Sequence, residues 1–481
     1  MTVLRIETLT KILLITIFTI NQIMVACDLS NYQQIDLNLT HNPTDYSQLE
    51  CILEQTNSFR DLTSSYNNIN RQPHKKWTMM IYIAADNDLF YFAWNNIRQL
   101  AQSAHPDINI IVFLSEPGAH KKTQIYLIEK NKATLLNKDT QEKLNSGDPQ
   151  TLIGFCNWAI KHFPADNYLL DLWNHGTGLA DIKYKAINPA SLFVFNPSTL
   201  MLELDRNIRY LEMLDQFRID DTKRGICFDD TYKSYLNNQD LEYALSIICK
   251  EGLNGGKLSI IGMDACLMAM VEIANICKNY AHIMVASEEV ELGQGWRYDI
   301  ALEPFARGNL SKEEFACHLV KSYQDAYSNI TSDFTLSAVN LDNFSNIESN
   351  INNVATLLLE CMQHQRGQSV KYIIRQCRRH ICFEEPSYID LISFYKRLLL
   401  NIDKLMLQSN NQLVAQLKEA LENGINIIKE NVLANTFGSN LNHANGLSIY
   451  FPEQHMLKSY QTTDFAQKNQ WYNLITNYVM R

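Results

Sequence analysis

The chain has 481 residues, of which 46% are apolar and 20% charged, with only 17 glycines and 11 prolines; this excludes disordered, collagen-like and linker-dominated proteins. Lys and Arg number 42 against 52 Asp and Glu, a formal charge of -10, which argues against a general binder of nucleic-acid backbone, since that needs a basic surface. At roughly 150 residues per domain, the length suggests about three units.

Arg5 and Lys11 precede an apolar run from Ile12 to Ile20, and the small residue Ala26 follows it. A membrane span needs about 20 apolar residues, so the run is too short to cross a bilayer and has the layout of an export signal. Met24-Val25-Ala26-Cys27 has the form of a bacterial lipobox, in which the cysteine is acylated. Ordinary signal cleavage fits as well. Cys27 is therefore a candidate lipidation site, and the chain is expected in the cell envelope or outside the cell. Residues 28 to 74 are polar and read as a surface-wrapping lead-in.

The texture changes at Lys75. Trp77 to Ala85 is a continuous apolar run, as in a strand covered on both faces. Asp86-Asn87-Asp88 ends it, and Leu89, Phe92, Ala93, Ile97 and Leu100 follow at helical spacing. The pattern predicts further strands over 108–114, 124–129, 168–173, 258–262 and 283–286, and helices over 150–163 and 268–278. Strands alternating with helices give an α/β fold, a mainly parallel sheet flanked by helices. In such sheets the reactive crevice lies beyond the carboxyl ends of the strands. Two of those ends carry Asn174-His175-Gly176 and Met263-Asp264-Ala265-Cys266. A thiol needs a base or a positive surrounding to act as a nucleophile at neutral pH. His175 can be that base, and a helix beginning at Cys266 would favour the thiolate through its dipole. Glycines beside His175 let a backbone N–H approach a substrate carbonyl oxygen. Against this stands the ordinary reading of a structural histidine and a buried, filler cysteine. The pattern alone leaves both open.

At these residues the chain resembles the clostripain family of cysteine peptidases, relatives of caspases, gingipains and legumain. The matching stretches are Met79 to Leu89, Leu170 to Gly176, Cys227 to Thr231, Gly262 to Met268, Ala286 to Glu289 with Gly293 to Trp296, and Ala444 to Pro452. The resemblance runs from about Lys75 to the C-terminus and implies a caspase-like fold. It implies that His175 is the base and Cys266 the nucleophile, with the backbone N–H groups of Gly176 and Cys266 receiving the oxyanion. It places Asp264 at the base of the specificity pocket, selecting Arg or Lys before the cut, with Glu288, Glu289 and Glu291 as secondary candidates for the pocket wall. Locally, Asp264 could instead cap a helix, and the glutamates could form a solvated acidic turn. The resemblance calls for no third acid and no cofactor; calcium is used in part of the family, and no ligands for it can be assigned. The implied partners are proteins or peptides with Arg or Lys before the cut.

The connection from Asp181 to Lys223 is long and carries Lys183, Lys185, Arg206, Arg209, Arg218 and Lys223. Members of the family are often activated by self-cleavage at a basic residue in this place, so a cut between residues 181 and 224 is expected, with an ordinary surface insertion as the alternative. Gly252 to Lys257 has the wrong spacing for a phosphate-binding loop, and Cys377 and Cys382 lack a second ligand pair for zinc. Leu400 to Asn431 has helical spacing, and Leu447 to Phe451 reads as a strand. The expected organisation is a signal segment over 1–27, a lead-in over 28–74, a catalytic domain over 75–310, and a mixed, largely helical C-terminal domain over 311–481. Of eleven cysteines, Cys27 and Cys266 have roles; the others are too thinly spread for a disulfide framework, though an isolated bridge is open after export. A peptide ligase on the same dyad and a catalytically silent binding protein are the alternative functions.

Overall fold

The computed structural model describes residues 71–137, 142–179, 192–206, 225–363, 367–405 and 411–480. The expected signal segment with Cys27, and the lead-in up to residue 70, lie outside the described residues. In chain order the strands are β1 (Lys75–Ala84), β2 (Ile108–Ser115), β3 (Gln124–Glu129), β4 (Lys132–Leu135), β5 (Ala165–Trp173), β6 (Phe193–Asn196), β7 (Met201–Leu204), β8 (Gly225–Asp229), β9 (Ser234–Asn237), β10 (Leu258–Asp264), β11 (Ala281–Ala286), β12 (Thr335–Asn340), β13 (Tyr388–Asp390), β14 (Val432–Phe437) and β15 (Ser448–Tyr450). Nine of them form one sheet in the order β14-β12-β11-β10-β5-β1-β2-β3-β4. The middle strands β11, β10, β5, β1 and β2 are parallel. Antiparallel pairing closes both edges.

The apolar runs explain the middle of this sheet. From Trp77 onward β1 is buried at every position, as a parallel strand covered by helices on both faces must be. The polar side chains it does bury are satisfied. Thr78 Oγ1 donates to Phe163 O at 2.7 Å and accepts from Asn109 Nδ2 at 3.0 Å. Tyr82 stacks on Phe113 and sends its hydroxyl to Ser146 O at 3.0 Å. Leaving such a group unpaired would cost about 1–3 kcal/mol. The helix Pro149–His162 starts where Asp148 accepts from Gln150 N and Pro149 fills the first turn.

From β1 the chain moves to β2 on one side, and from β5 it runs the other way through β10 to β11. The order reverses between β1 and β5, which opens a crevice at their carboxyl ends. The expected Asn-His-Gly and Asp-Ala-Cys turns lie on that rim.

The C-terminal part shares the sheet with the part before it, while its helices Phe344–Gln363, Asn411–Asn431 and Trp471–Val479 pack together. β12 and β14, both beyond residue 310, extend the same sheet from β11. The helix Lys312–Tyr327, started by a Ser311/Glu314 capping box, packs on β14, β11 and β12. The predicted strand near residue 449 exists as β15, but it pairs with β13 in a separate two-stranded sheet. Ser448 N donates to Ala269 O at 2.9 Å, and buried Glu272 accepts from Tyr450 N and Tyr460 Oη at 3.2 and 3.1 Å. The helical spacing expected over 400–431 is met by a short 3-10 helix at Ile402–Leu405, after the helix Leu391–Leu400, and by the helix Asn411–Asn431, with residues 406–410 outside the described residues.

A fragment ending at residue 310 would leave the β11 edge unpaired and its apolar face bare. Residues 71–310 produced alone are expected to aggregate or to melt without a cooperative transition, as read by size exclusion and circular dichroism. A monomeric, cooperatively melting fragment would show two independent cores.

Candidate active site

Four strand ends meet at the crevice, and two asparagines hold them. Asn174, after β5, donates through Nδ2 to Ala84 O at the end of β1 and to Phe228 O in β8, and its Oδ1 accepts from Phe228 N at 2.9 Å. Its backbone N–H reaches Asp264 O of β10 at 3.2 Å. Asn87 makes the same reach from the β1 side, donating to Ala84 O at 3.1 Å and Phe228 O at 2.8 Å. Asp230 N donates to Asp86 O at 2.7 Å. The turn after β1 is further held by the buried ion pair of Lys143 with Asp86, 2.7 Å apart.

Cys266 stands on a sharp turn after β10 and does not start a helix, contrary to expectation. The following helix is Val271–Cys277, five residues on, and a helix dipole fades within its first turn. The turn instead uses a left-handed Leu267 (φ 63°), held by Leu267 N to Glu289 O at 3.2 Å and Ala269 N to Ser287 O at 2.8 Å. Such a conformation is costly for a bulky residue and persists only where its surroundings impose it. The thiol accepts from Glu291 N at 3.3 Å and faces Glu291 O at 3.9 Å. It shares one cavity with His175, Asp264, Glu291, Leu89 and Leu192. Gly176 brings the two motifs together: a Cβ there would lie 2.6 Å from Cys266 O.

His175 is almost buried, and its Nε2 lies 2.7 Å from Asp88 Oδ1. A carboxylate only accepts, so Nε2 is the nitrogen that donates in this pair. The sequence reading nominated no third acid. Asp88 is 87 residues from His175, and its one signal was a place at the carboxyl end of β1.

Asp264 lies at the cavity and caps no helix. Its Oδ2 accepts from Trp296 N at 2.8 Å and lies 3.0 Å from Tyr298 Oη. Gly295 leaves room for it, since a Cβ there would sit 2.5 Å from Oδ2. Burial pushes Asp264 up to about 6. It pushes the neighbouring Asp171 up to about 8, helped by the charge of Asp264. Glu291 lines the cavity, but Glu288 and Glu289 do not. Glu289 is wholly buried, pairing with Arg206 at 3.0 Å and accepting from Val290 N and Glu384 N. Glu288, also wholly buried, accepts from Gly446 N at 2.8 Å and faces Asp390. Neither forms a solvated turn; they lock the loop after β11 to the C-terminal part.

Of the connection between the motifs, residues 192–206 are described, while Lys183, Lys185, Arg209, Arg218 and Lys223 lie outside the described residues. Leu192 forms part of the cavity wall. The β6–β7 hairpin ends at Arg206, which pairs with Glu289 and, at 2.7 Å, with Asp333. The cavity measures only about 30 Å³. Among the described residues no group of three or more His, Cys, Asp or Glu is arranged to hold a metal ion, so no residues are assigned to calcium. The nine described cysteines are all free thiols. No described helix is long and apolar enough to cross a membrane.

A sequence model of the clostripain family matches residues 81–191 and 215–478. Clostripain of Hathewaya histolytica is 22% identical over 285 residues, 54% of this chain and 47% of that protein, so the chain spans about half the length of the curated relative it matches. Among solved structures, an inactive zymogen C11 protease from Parabacteroides distasonis aligns with a TM-score of 0.55 at 18% identity, over 82% of this chain and 99% of that one. A secreted C11 cysteine protease from Bacteroides thetaiotaomicron, in complex with an irreversible peptide inhibitor, aligns with a TM-score of 0.51 at 19% identity, over 83% and 99% of the two chains. These likenesses bear out the expected fold.

The close approach at Gly176 gives a direct test. Gly176→Ala is expected to destabilise the protein by about 1–3 kcal/mol in urea unfolding, because the methyl group meets a backbone oxygen that cannot swing aside.

Proposed function

The chain belongs to the clostripain family, and on that footing we propose that it is a cysteine endopeptidase that cuts after Arg or Lys. The observation that carries this reading is the meeting of Cys266, His175 and Asp264 in one cavity at adjacent strand ends. Cys266 Sγ attacks the scissile carbonyl carbon while His175 Nδ1 takes the thiol proton. The N–H groups of Gly176 and Cys266 receive the oxyanion, an interaction worth about 3–4 kcal/mol in comparable sites. His175 then gives its proton to the leaving amine as the C–N bond breaks. Water, deprotonated by the same nitrogen, splits the thioester and frees Cys266. Asp88 acts as a positioning residue, holding the ring and its tautomer through Nε2.

Asp264 selects the basic residue. Among the described residues it has no ion-pair partner, and a buried carboxylate in that condition suits a guanidinium or ammonium group. The intact chain is the precursor. A cavity of about 30 Å³ holds roughly one water, so an Arg side chain enters only once the wall moves. Leu192 in that wall belongs to the connection expected to be cut between residues 181 and 224, and the Parabacteroides distasonis neighbour is an inactive zymogen. Export also belongs to this reading, with Cys27 as the lipid attachment point if the lipobox is used.

Peptides with Arg, Lys, Asp or Asn before a reporter amine test the assignment under reducing conditions with calcium. Cleavage after Arg or Lys is expected, lost in Cys266→Ala and reduced about a hundredfold or more in kcat/KM by Asp264→Asn. Asp88→Asn is expected to lower kcat about a hundredfold with little change in KM. Cleavage of none of the four by wild type would end the peptidase reading, and cleavage after Asp alone would end the role of Asp264. Sequencing the termini of the purified active enzyme should find a new N-terminus between residues 181 and 224, absent from Cys266→Ala. An active enzyme that remains one chain would remove the self-cleavage step.

A further inference from the structure

Three carboxyl groups meet beneath the pocket. Asp171 projects from β5 beside Asp264 on β10, where Gly262 and Asp171 are paired in register. Glu291 arrives from the loop after β11. Asp171 is 0% exposed, Asp264 4% and Glu291 5%. Among the described residues, no Lys or Arg forms an ion pair with any of them. The titratable groups facing them are Tyr298, Tyr323 and Tyr327, with Cys227 behind Asp171 and with Cys266 and His175 at the cavity. Arg297 and Asp299 lie beyond Tyr327 and hold each other, at 2.6 and 2.8 Å.

Hydrogen bonding separates the three acids. Tyr298 Oη is 2.6 Å from Asp171 Oδ2 and 3.0 Å from Asp264 Oδ2, yet a hydroxyl has one proton. Both contacts are satisfied when a protonated Asp171 donates to Tyr298 and Tyr298 donates to Asp264. Asp264 also takes the Trp296 N–H. Glu291, by contrast, receives no N–H or O–H donor at either oxygen, and its polar neighbour is the Asp264 carboxyl. Two neighbouring buried carboxyl groups with no cation between them do not both ionise. The donors converge on Asp264, so the charge rests there and the proton rests on Glu291. Burial and the Asp264 charge push the Glu291 carboxyl in the same direction, well above the usual range.

We propose that Glu291 is a second specificity residue, stored in the empty pocket as the neutral acid and ionised by the arriving substrate. The guanidinium or ammonium group of the residue before the cut takes the place of the Glu291 proton. The Glu291 O–H bond breaks, the proton leaves to solvent, and the pocket gains one cation for one proton with no change in net charge. This inference rests on the reading of the chain as a peptidase for basic residues. It has a clear sign: the free pocket holds a proton that the complex lacks, so affinity for a cation rises about tenfold per pH unit up to the free pocket's pKa, and is level above it.

The probe is benzamidine, an amidinium, bound to Cys266→Ala protein that active wild-type enzyme has first cut between residues 181 and 224 and from which that enzyme has been removed, because the uncut precursor keeps the pocket closed; each variant below is prepared in the same way. Calorimetry in two buffers of different ionisation heat counts the protons released. About one per benzamidine is expected, and close to none for Cys266→Ala with Glu291→Gln, whose affinity should be flat with pH. Glu291→Asp should restore the release, and melting temperatures report whether each variant is folded. No release by Cys266→Ala, or equal release by the Gln variant, overturns the proposal. The stored proton has its own readout without ligand, an infrared carbonyl band of an un-ionised carboxylic acid that Glu291→Gln removes. If benzamidine does not bind while that band is present, the basic-residue reading falls and the exchange with it. If the band is absent, the stored proton is disproved whatever binds.

Discussion

The side-chain amide of Asn174 is the constraint on which the cleft depends. Its donors reach β1 and β8, its acceptor takes the Phe228 N–H, and its own backbone N–H reaches β10. Parallel strands end without tight turns to one another, so their carboxyl ends leave carbonyls that helices do not reach. Asn174 and Asn87 satisfy those carbonyls with side chains. In doing so they fix the distances between the turns that carry Asp88, His175 and Cys266. A hydrophobic residue in place of Asn174 would leave the buried Phe228 N–H without its acceptor and would leave Asn87 alone to hold Ala84 O and Phe228 O.

The charges obey a second rule. Most buried acids here are matched: Asp86 by Lys143, Glu289 and Asp333 by Arg206, and Glu272 by a backbone N–H and a tyrosine. Glu288 and Asp390 face each other, but N–H groups of Ser393, Asn445 and Gly446 enclose them. Beneath the cavity the balance is different: among the described residues no Lys or Arg pairs with Asp171, Asp264 or Glu291. Isolated ionised carboxylates are not tolerated in such surroundings, and protons take the place of the missing partner.

The C-terminal third supports the same site from behind. β12 and β14 protect the β11 edge, and β15 holds the backbone of Ala269 just after the Cys266 turn. The left-handed Leu267 is strained, and the contacts to Glu289, Ser287 and Ser448 hold the turn in which it sits. The strain is local, while what sustains it comes from up to 180 residues further along.

The sequence determined the elements whose cause is local. Buried parallel strands need continuous apolar runs, so β1, β2, β5 and β10 were legible, and with them the turns bearing His175 and Cys266. Family likeness added Asp264. Short or half-exposed strands such as β14 have no such run, and were missed. Glu288, Glu289 and Glu291 look alike in sequence, yet only the last reaches the cavity, because the loop turns within those few residues. The pairing of Asp88 with His175, the helix that begins at Val271 instead of Cys266, and the union of both halves in one sheet were decided by tertiary structure. Each depends on groups distant in the chain being brought within hydrogen-bonding reach, and no local pattern encodes that approach.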